Sequence, residues 1–318
     1  MTKYHNPELD EHIGVIKPVL GEHGFIRLID YMGGDESIVQ AARVSYGAGT
    51  KTVNEDRGLI RYLMRHRHTT PFEMCEIKLH VKLPIFVARQ WIRHRTASVN
   101  EVSARYSILS NEFYIPRAAD IQKQSATNNQ GRGADIDEAI GMAMIETIRQ
   151  QAEGAYQLYE ELHHGWPWFD ENGTPWSQYS SREIAEERFS AHENGFGMAR
   201  ELARMVLPTN IYTEWYWKVD LHNLLHFLSL RADPHAQKEI RVYAEAICDL
   251  VRVWCPAAFE AFEDYVLGAE TFSRMEMKQL ADLVAGTFPS DLKPALQKSG
   301  MSDREQREFL KKIGLDYE

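Results

Sequence analysis

The stretch CEIKLHVKLPIFVARQWIRHRTASVNEVSARYS, from Cys75 to Ser107, sets the reading of the fold. Its first part alternates strictly: Cys75, Ile77, Leu79 and Val81 fall on one side, and Glu76, Lys78, His80 and Lys82 on the other. Side chains of a strand alternate between faces, so this pattern predicts a half-buried strand with one wet face, a feature of antiparallel sheets. Pro84 fits the first position of a helix, where its missing N–H costs nothing, and IFVARQWIRHR continues that helix. On it Arg93 shares a face with Arg89, and His94 with Gln90. A helix C-terminus attracts cations through the macrodipole, which by itself accounts for the run Arg93, His94, Arg95. It does not account for Ser98, Asn100, Glu101, Ser103 and Arg105, which crowd into the next eight residues. Arginine forks, hydroxyls and a single carboxylate are the inventory for holding a sugar phosphate. The spacing is neither a P-loop nor GxGxxG.

Outward from this stretch, strands and helices alternate irregularly. FIRLIDYM (Phe25–Met32) reads as a strand, followed by a Gly33-Gly34 turn and a helix capped by Asp35. NEDRGLIRYLMRH is helical in period and is broken by HTTPFE. QKQSATNNQGRGAD (Gln122–Asp135) reads as a flexible loop, and a long helix is expected from about Ile136 to Leu162. GWPWFDENGTPWSQYS is an aromatic, turn-rich excursion before helices in EIAEERFSAHEN and GMARELARMVL, the latter ended by Pro208. IYTEWYWKV reads as a strand, then LHNLLHFLSLR and AQKEIRVYAEAICDLVRVW as helices. Few strands among helices of mixed length predict an α+β fold, a small antiparallel sheet flanked by helices. One domain is expected over 1–318, with an insertion at about 118–198 and a helical extension at about 266–318.

The chain of 318 residues carries a net charge of −10, which argues against general nucleic-acid binding. Between Arg57 and Arg105, however, ten Lys/Arg face three acids, an island of +7 in a remainder of −17. Such an island suits a small polyanion, although a solvated helix face is the plainer explanation. Apolar runs are too short for a membrane span, and the N-terminus has no secretory h-region. Three cysteines without CxxC spacing predict neither a disulfide framework nor a cysteine zinc site, and a cytoplasmic location is expected.

The signature R-H-R-x-x-S-x-N-E-x-S-x-R-Y resembles that of the flavin-dependent thymidylate synthases. TPFE (Thr70–Glu73), PIFVARQW (Pro84–Trp91), YIPR (Tyr114–Arg117), ARMVLP (Ala203–Pro208) and LRADPHAQ (Leu230–Gln237) are similar to further blocks of that family, in its order. The resemblance covers roughly Phe25–Arg117 and Ala199–Tyr265. It implies reductive methylation of dUMP to dTMP, with methylenetetrahydrofolate as one-carbon donor, FAD as hydride carrier and NADPH as reductant. It also implies a homotetramer with shared active sites, working on small molecules, without nucleic acid, membrane or metal. The residues it assigns to dUMP are Gln90, Trp91, Ile92, Arg93, Glu101, Val102, Ser103, Ala104, Arg105, Arg204 and Arg231. Those it assigns to FAD are Ser45, Thr70, Glu73, Arg93, His94, Arg95 and Glu101, with His68 near the same side. Asp220, Leu221, His222 and His226 occupy further flavin-contact positions, although DLHNLLHF departs from the family's Asn-x-Arg pattern there. Arg231 is implied as the residue that activates the uracil by favouring ionisation at N3. A guanidinium stays protonated, so it can stabilise negative charge on the ring without losing a proton.

Four other readings compete. A thiol nucleophile would need Cys75, Cys248 or Cys255 to be accessible, whereas Cys75 lies on the apolar side of its strand and packing roles are expected for all three. Ser103 lacks a legible Ser-His-Asp order and is assigned hydrogen bonding instead. A metal-dependent phosphohydrolase would have to use His66, His68, His80 and His94, but a two-residue spacing does not suit a helix. A nucleic-acid module would stack bases on Tyr212, Trp215, Tyr216 and Trp217, of which alternation sends half to the core.

Overall fold

A computed structural model describes residues 5–44, 53–126, 131–164, 198–275 and 303–312, together with 277 and 280. Ser45, the aromatic excursion at 165–180 and the helix expected at 183–194 lie outside the described residues. The chain divides into two compact units, Met1–Leu267 and Gly268–Glu318. In the second, the described helix spans Asp303–Lys312.

The first unit is built on a five-stranded antiparallel sheet. Its strands are β1 (Ile16–Pro18), β2 (Phe25–Met32), β3 (Glu76–Pro84), β4 (Ser98–Glu101) and β7 (Tyr212–Asp220), in the order β1-β2-β3-β7-β4. The alternation of β3 is real. Ile77, Leu79, Val81 and Leu83 are buried, while Glu76, Lys78, His80 and Lys82 lie on the wetter side. β7 repeats the pattern, with Trp215, Trp217 and Val219 inward and Tyr216 and Lys218 exposed. The register sets Leu79 opposite Trp217 and Val81 opposite Trp215, so the apolar rows of the two strands coincide. Each aliphatic side chain buried this way contributes on the order of 1.5–3 kcal/mol.

Helices cover the apolar face. In chain order they are α1 (Pro7–Asp10), α2 (Asp35–Val44), α3 (Val53–Arg65), α4 (Ile85–Trp91), α5 (Glu138–His164), α6 (Arg200–Ala203), α7 (Leu221–Arg231), α8 (Lys238–Trp254) and α9 (Pro256–Phe262). The main core joins the sheet to the apolar faces of α2, α3, α4, α7, α8 and α9, with an aromatic centre of Trp91, Trp217, Phe227 and Tyr243. A second core forms where Tyr156 and Tyr159 of α5 pack on Ala104, Leu109, Ala203 and Ile211. The described part of the insertion is thus fastened to the body, and the Tyr156 hydroxyl donates to the Leu109 carbonyl at 2.8 Å.

Several expectations are corrected. Pro84 ends β3 and precedes α4 at the cap position, one residue earlier than expected, because its extended ψ of 146° belongs to the strand. α4 stops at Trp91, so Arg93, His94 and Arg95 lie beyond the helix and share no face with it. The segment after them is an edge strand, with Val99 opposite Trp217 and Glu101 opposite Trp215. Within the supposed loop at 122–135, β5 (Gln122–Gln124) and β6 (Arg132–Asp135) pair antiparallel. The helix expected through GMARELARMVL is short and tightens into a 3-10 turn over Arg204–Val206.

Asp35 does not cap its own helix. It is the first residue of α2, and its carboxylate accepts from the N–H groups of Ala257 (2.7 Å) and Ala258 (3.0 Å), capping α9 instead. Gly33, two residues earlier, packs tightly against the segment Met74–Cys75. Its φ is 75°, and an added Cβ would sit 3.1 Å from both the Cys75 sulfur and the Met74 carbonyl. α3 ends in a Schellman-type turn, with Arg67 left-handed (φ 57°) and the His68 N–H bonded to the Leu63 carbonyl.

Four of the ten cations of the basic island are spent on the fold. Arg57 and Arg61 pair with Glu260, Arg61 also with Asp264 at 2.5 Å, and Arg61 and Arg65 donate to the Tyr265 hydroxyl. Lys82 is paired with Glu112. The plainer reading holds for these cations.

Candidate active site

The predicted site residues separate into three groups. The first joins the end of α4 to the end of α7. Arg231 Nε donates to His94 Nε2 at 3.2 Å, and Arg231 Nη2 reaches the Gln90 carbonyl at 3.5 Å. His226 and Phe227 close on the His94 ring, with centroids 5.7 and 5.0 Å away. Burial, then the charge of Arg231 and the neighbouring His226, hold the His94 imidazole down to about 4. His94 is therefore neutral at pH 7 and accepts at Nε2, which puts its proton on Nδ1. The run at 93–95 carries two charges at neutral pH, not three. Burial also lowers the pKa of Arg231, though a guanidinium remains protonated. Its Nη1 has no partner among the described residues, which leaves one face of the fork for a ligand.

The second group surrounds the turn after β4. Glu101 Oε1 accepts from the Thr213 hydroxyl at 2.7 Å. Ser103 caps the turn, its Oγ accepting from the Arg105 N–H and its carbonyl from the N–H groups of Tyr106 and Ser107. Arg105 stands 3.5 Å from Glu201, and Arg204 Nε donates to the Glu201 carbonyl. Ala104 is buried in the second core and Val102 packs beside it. Among the described residues no hydrogen bond, ion pair or ring contact joins this group to the first.

The third group lines a cavity of about 960 Å³ between α2, α3 and the 3-10 turn Thr70–Met74. His68, Thr69, Thr70 and Tyr62 face it, as does Arg43, which is paired with Asp56 at 2.6 Å. The rings of His66 and His68 both approach Tyr62. Among the described residues no set of three or more His, Cys, Asp or Glu is arranged to hold a metal ion.

Some predicted residues are already engaged. Trp91 is wholly buried in the aromatic core, so it could meet a ligand only through its backbone. Leu221 is equally buried, and its N–H is donated to the Cys75 carbonyl. Asp220 caps α7, accepting from the Asn223 N–H and side-chain amide at 2.9 and 2.7 Å. Arg93 and Arg95 are exposed and make no hydrogen bond or ion pair with the described residues, and Ile92 beside them is 45% exposed. Two guanidiniums with unspent donors, side by side past a helix end, fit a bridging anion such as a pyrophosphate.

Sequence reasoning missed the residues behind Gln90. Its side-chain amide donates to Gln237, whose own amide donates to Glu239 at 2.9 Å. Glu239 is 2% exposed and also accepts from the Tyr114 hydroxyl and from Arg132 of β6. Gln237 stands in LRADPHAQ and was in view. Nothing in the pattern signals that the carboxylate two residues later is buried.

All three cysteines are buried. Burial pushes the Cys248 thiol up to about 12 and Cys255 well above its usual value. No helix among the described residues is long and apolar enough to cross a membrane.

The chain as a whole matches a known class. Residues 27–257 match the profile of the family described as thymidylate synthase complementing protein. A protein of Ruegeria pomeroyi named flavin-dependent thymidylate synthase is 53% identical over 309 residues, spanning 97% of this chain and 91% of its own. One of the same name from Rickettsia bellii is 52% identical over 91% of both chains. Among solved structures, a UMP/dUMP methylase PolB from Streptomyces cacaoi bound with 5-Br dUMP is similar with a TM-score of 0.62. It is 29% identical and covers 79% of this chain and 99% of its own. The chain belongs to the thymidylate synthase complementing protein family, that of these flavin-dependent thymidylate synthases.

Proposed function

We propose that this protein methylates dUMP reductively to dTMP, using methylenetetrahydrofolate as carbon donor and NADPH as the source of reducing equivalents. In balance, dUMP, methylenetetrahydrofolate, NADPH and a proton give dTMP, tetrahydrofolate and NADP⁺. The observation that carries the reading is the convergence of Gln90, His94 and Arg231, 141 positions apart at its ends, on one half-buried spot. A bound FAD supplies the hydride transferred in the reaction. Arg93 and Arg95 have the free donors to hold its pyrophosphate, and Thr70 and His68 border a cavity of suitable size.

Arg231 acts on the pyrimidine. Its unspent Nη1 donors face a ring oxygen and stabilise the charge that develops when N3 loses its proton. Neutral His94 orients the guanidinium without adding a competing cation. Gln90 and Arg93 contact the nucleotide, and Arg105 and Arg204 take its phosphate with the Ser103 turn. The reading includes a homotetramer in which one nucleotide is held by more than one chain. The cytoplasm is the expected compartment.

The test is a visible absorption spectrum of the purified protein under argon. A flavin band that bleaches with NADPH, faster when dUMP is present, is the expected result. A colourless protein that takes up no added FAD would overturn the reading.

A further inference from the structure

Glu239 lies at the closed end of a chain of hydrogen bonds that leads outward to Gln90. The order of donors and acceptors along it follows from chemistry. A carboxylate only accepts, so Gln237 must turn its Nε2 toward Glu239, as it does at 2.9 Å. Its Oε1 is then the atom left for Gln90, and an oxygen there requires the Gln90 Nε2 in return. Gln90 then has its Nε2 end turned to Gln237, with one N–H spent there, and its Oε1 end turned away as an unspent acceptor. Reversing Gln90 would set two amide oxygens against each other, and reversing Gln237 would set an oxygen against the carboxylate and two N–H donors against each other.

The carboxylate is well held. Tyr114 donates its hydroxyl at 3.1 Å and Arg132 donates from β6. Burial raises the pKa of Glu239, but the hydrogen bonds from Arg132 and Gln237 and the charge of Arg132 outweigh it, and the net shift is downward. Burial pushes the Tyr114 hydroxyl up, so it stays a donor.

We propose that Glu239 is a positioning residue that, through Gln237, fixes which end of the Gln90 carboxamide faces the nucleotide. Gln90 presents its carbonyl end. The nucleotide group that meets Oε1 is a donor, a ribose hydroxyl or a ring N–H, and not a phosphate oxygen. The inference rests on the reading of Gln90 as a dUMP contact. It gives β6 a task, since Arg132 neutralises the carboxylate that sets the polarity.

Titration calorimetry of the flavin-loaded enzyme with dUMP tests it, alongside steady-state kinetics. Gln90→Ala should raise Kd about tenfold, the loss of one hydrogen bond in a partly desolvated site. Glu239→Gln should raise Kd and the KM for dUMP roughly five- to tenfold, with kcat at saturation changed less than about twofold. In the double variant Gln237→Glu with Glu239→Gln, the new carboxylate accepts directly from the Gln90 Nε2. That variant should recover to within about threefold of wild type, a rescue that a merely structural role would not produce. Should Glu239→Gln fail to fold, Gln237→Leu cuts the chain while the carboxylate keeps its bonds from Tyr114 and Arg132, and it should weaken dUMP equally. If Gln90→Ala binds dUMP as wild type does, the nucleotide contact itself is wrong and the inference falls with it. If Gln90→Ala weakens binding while Glu239→Gln and Gln237→Leu do not, or if the swap rescues nothing, the positioning role alone is overturned.

Discussion

Arg231 Nε lies 3.2 Å from His94 Nε2, and this contact makes His94 an acceptor where the sequence suggests a third cation. In the folded chain its pKa is held down to about 4, first by burial and then by Arg231, against an ordinary value of 6.5. Between those values the unfolded chain binds a proton that the folded chain refuses. The contribution of this group to stability is complete above 6.5, is lost as pH falls from there, and stops changing below about 4. Urea midpoints measured at pH 7.5, 5.5 and 4 for wild type and His94→Gln check this. The variant keeps an acceptor but does not titrate, so its acid loss should be the smaller. Equal losses would show that His94 is not the group responsible.

Arg231→Ala should leave flavin bound and remove most dTMP formation, by roughly 10²- to 10³-fold, the size expected when one preorganised donor to developing charge is lost. Arg231→Lys should restore little, because an ammonium cannot meet His94 and the ring together in a planar fork. Turnover within threefold of wild type in either variant would sink the activating role. The flavin spectrum of each variant separates lost chemistry from lost cofactor.

The sheet makes a paired prediction. Leu79 is fully buried opposite Trp217, and Lys78 is its neighbour on the other face. Leu79→Ala should cost about 2–5 kcal/mol of unfolding free energy, the lost burial plus the cavity. Lys78→Ala should stay within about 0.5 kcal/mol. Guanidinium unfolding curves of the two proteins decide it.

Asp35 and α9 make another. Asp35→Ala removes both acceptors at the α9 N-terminus and should destabilise by about 1–2 kcal/mol, whereas Asp35→Ser should recover part of that by keeping one oxygen at the cap. A thermal melt in which the two variants coincide would mean that the cap contributes nothing.

The buried thiols predict silence toward a thiol reagent. Native protein should release almost no thionitrobenzoate from Ellman's reagent at pH 8, and three equivalents in guanidinium. Cys75→Ala, Cys248→Ala and Cys255→Ala should each retain turnover. A folded cysteine variant without activity would bring back the thiol nucleophile.

Period-two alternation in residues 75–82 and 212–219 was enough to read the two central strands, because burial of one face imposes it residue by residue. The helix Leu221–Arg231 was legible to its ends for the related reason that its N-cap, Asp220, is local. Chemical identity was legible too, since arginines, a carboxylate and hydroxyls at fixed spacing are written in the chain. β4 was not. An edge strand of four residues is held by the backbone of β7, more than a hundred residues away, and its side chains carry no period. The capping of α9 by Asp35 and the pairing of the α3 arginines with Glu260 escaped notice for the same reason.

What the sequence determined by itself, then, is the alternation of the sheet, the span of the long helices and the stock of groups in the site. Tertiary structure decided their states. His94 is neutral because it is buried against Arg231, and the Gln90 amide has a direction because a carboxylate is enclosed behind it. Protonation and hydrogen-bond polarity depend on desolvation and on partners distant in sequence, which only the folded chain brings together.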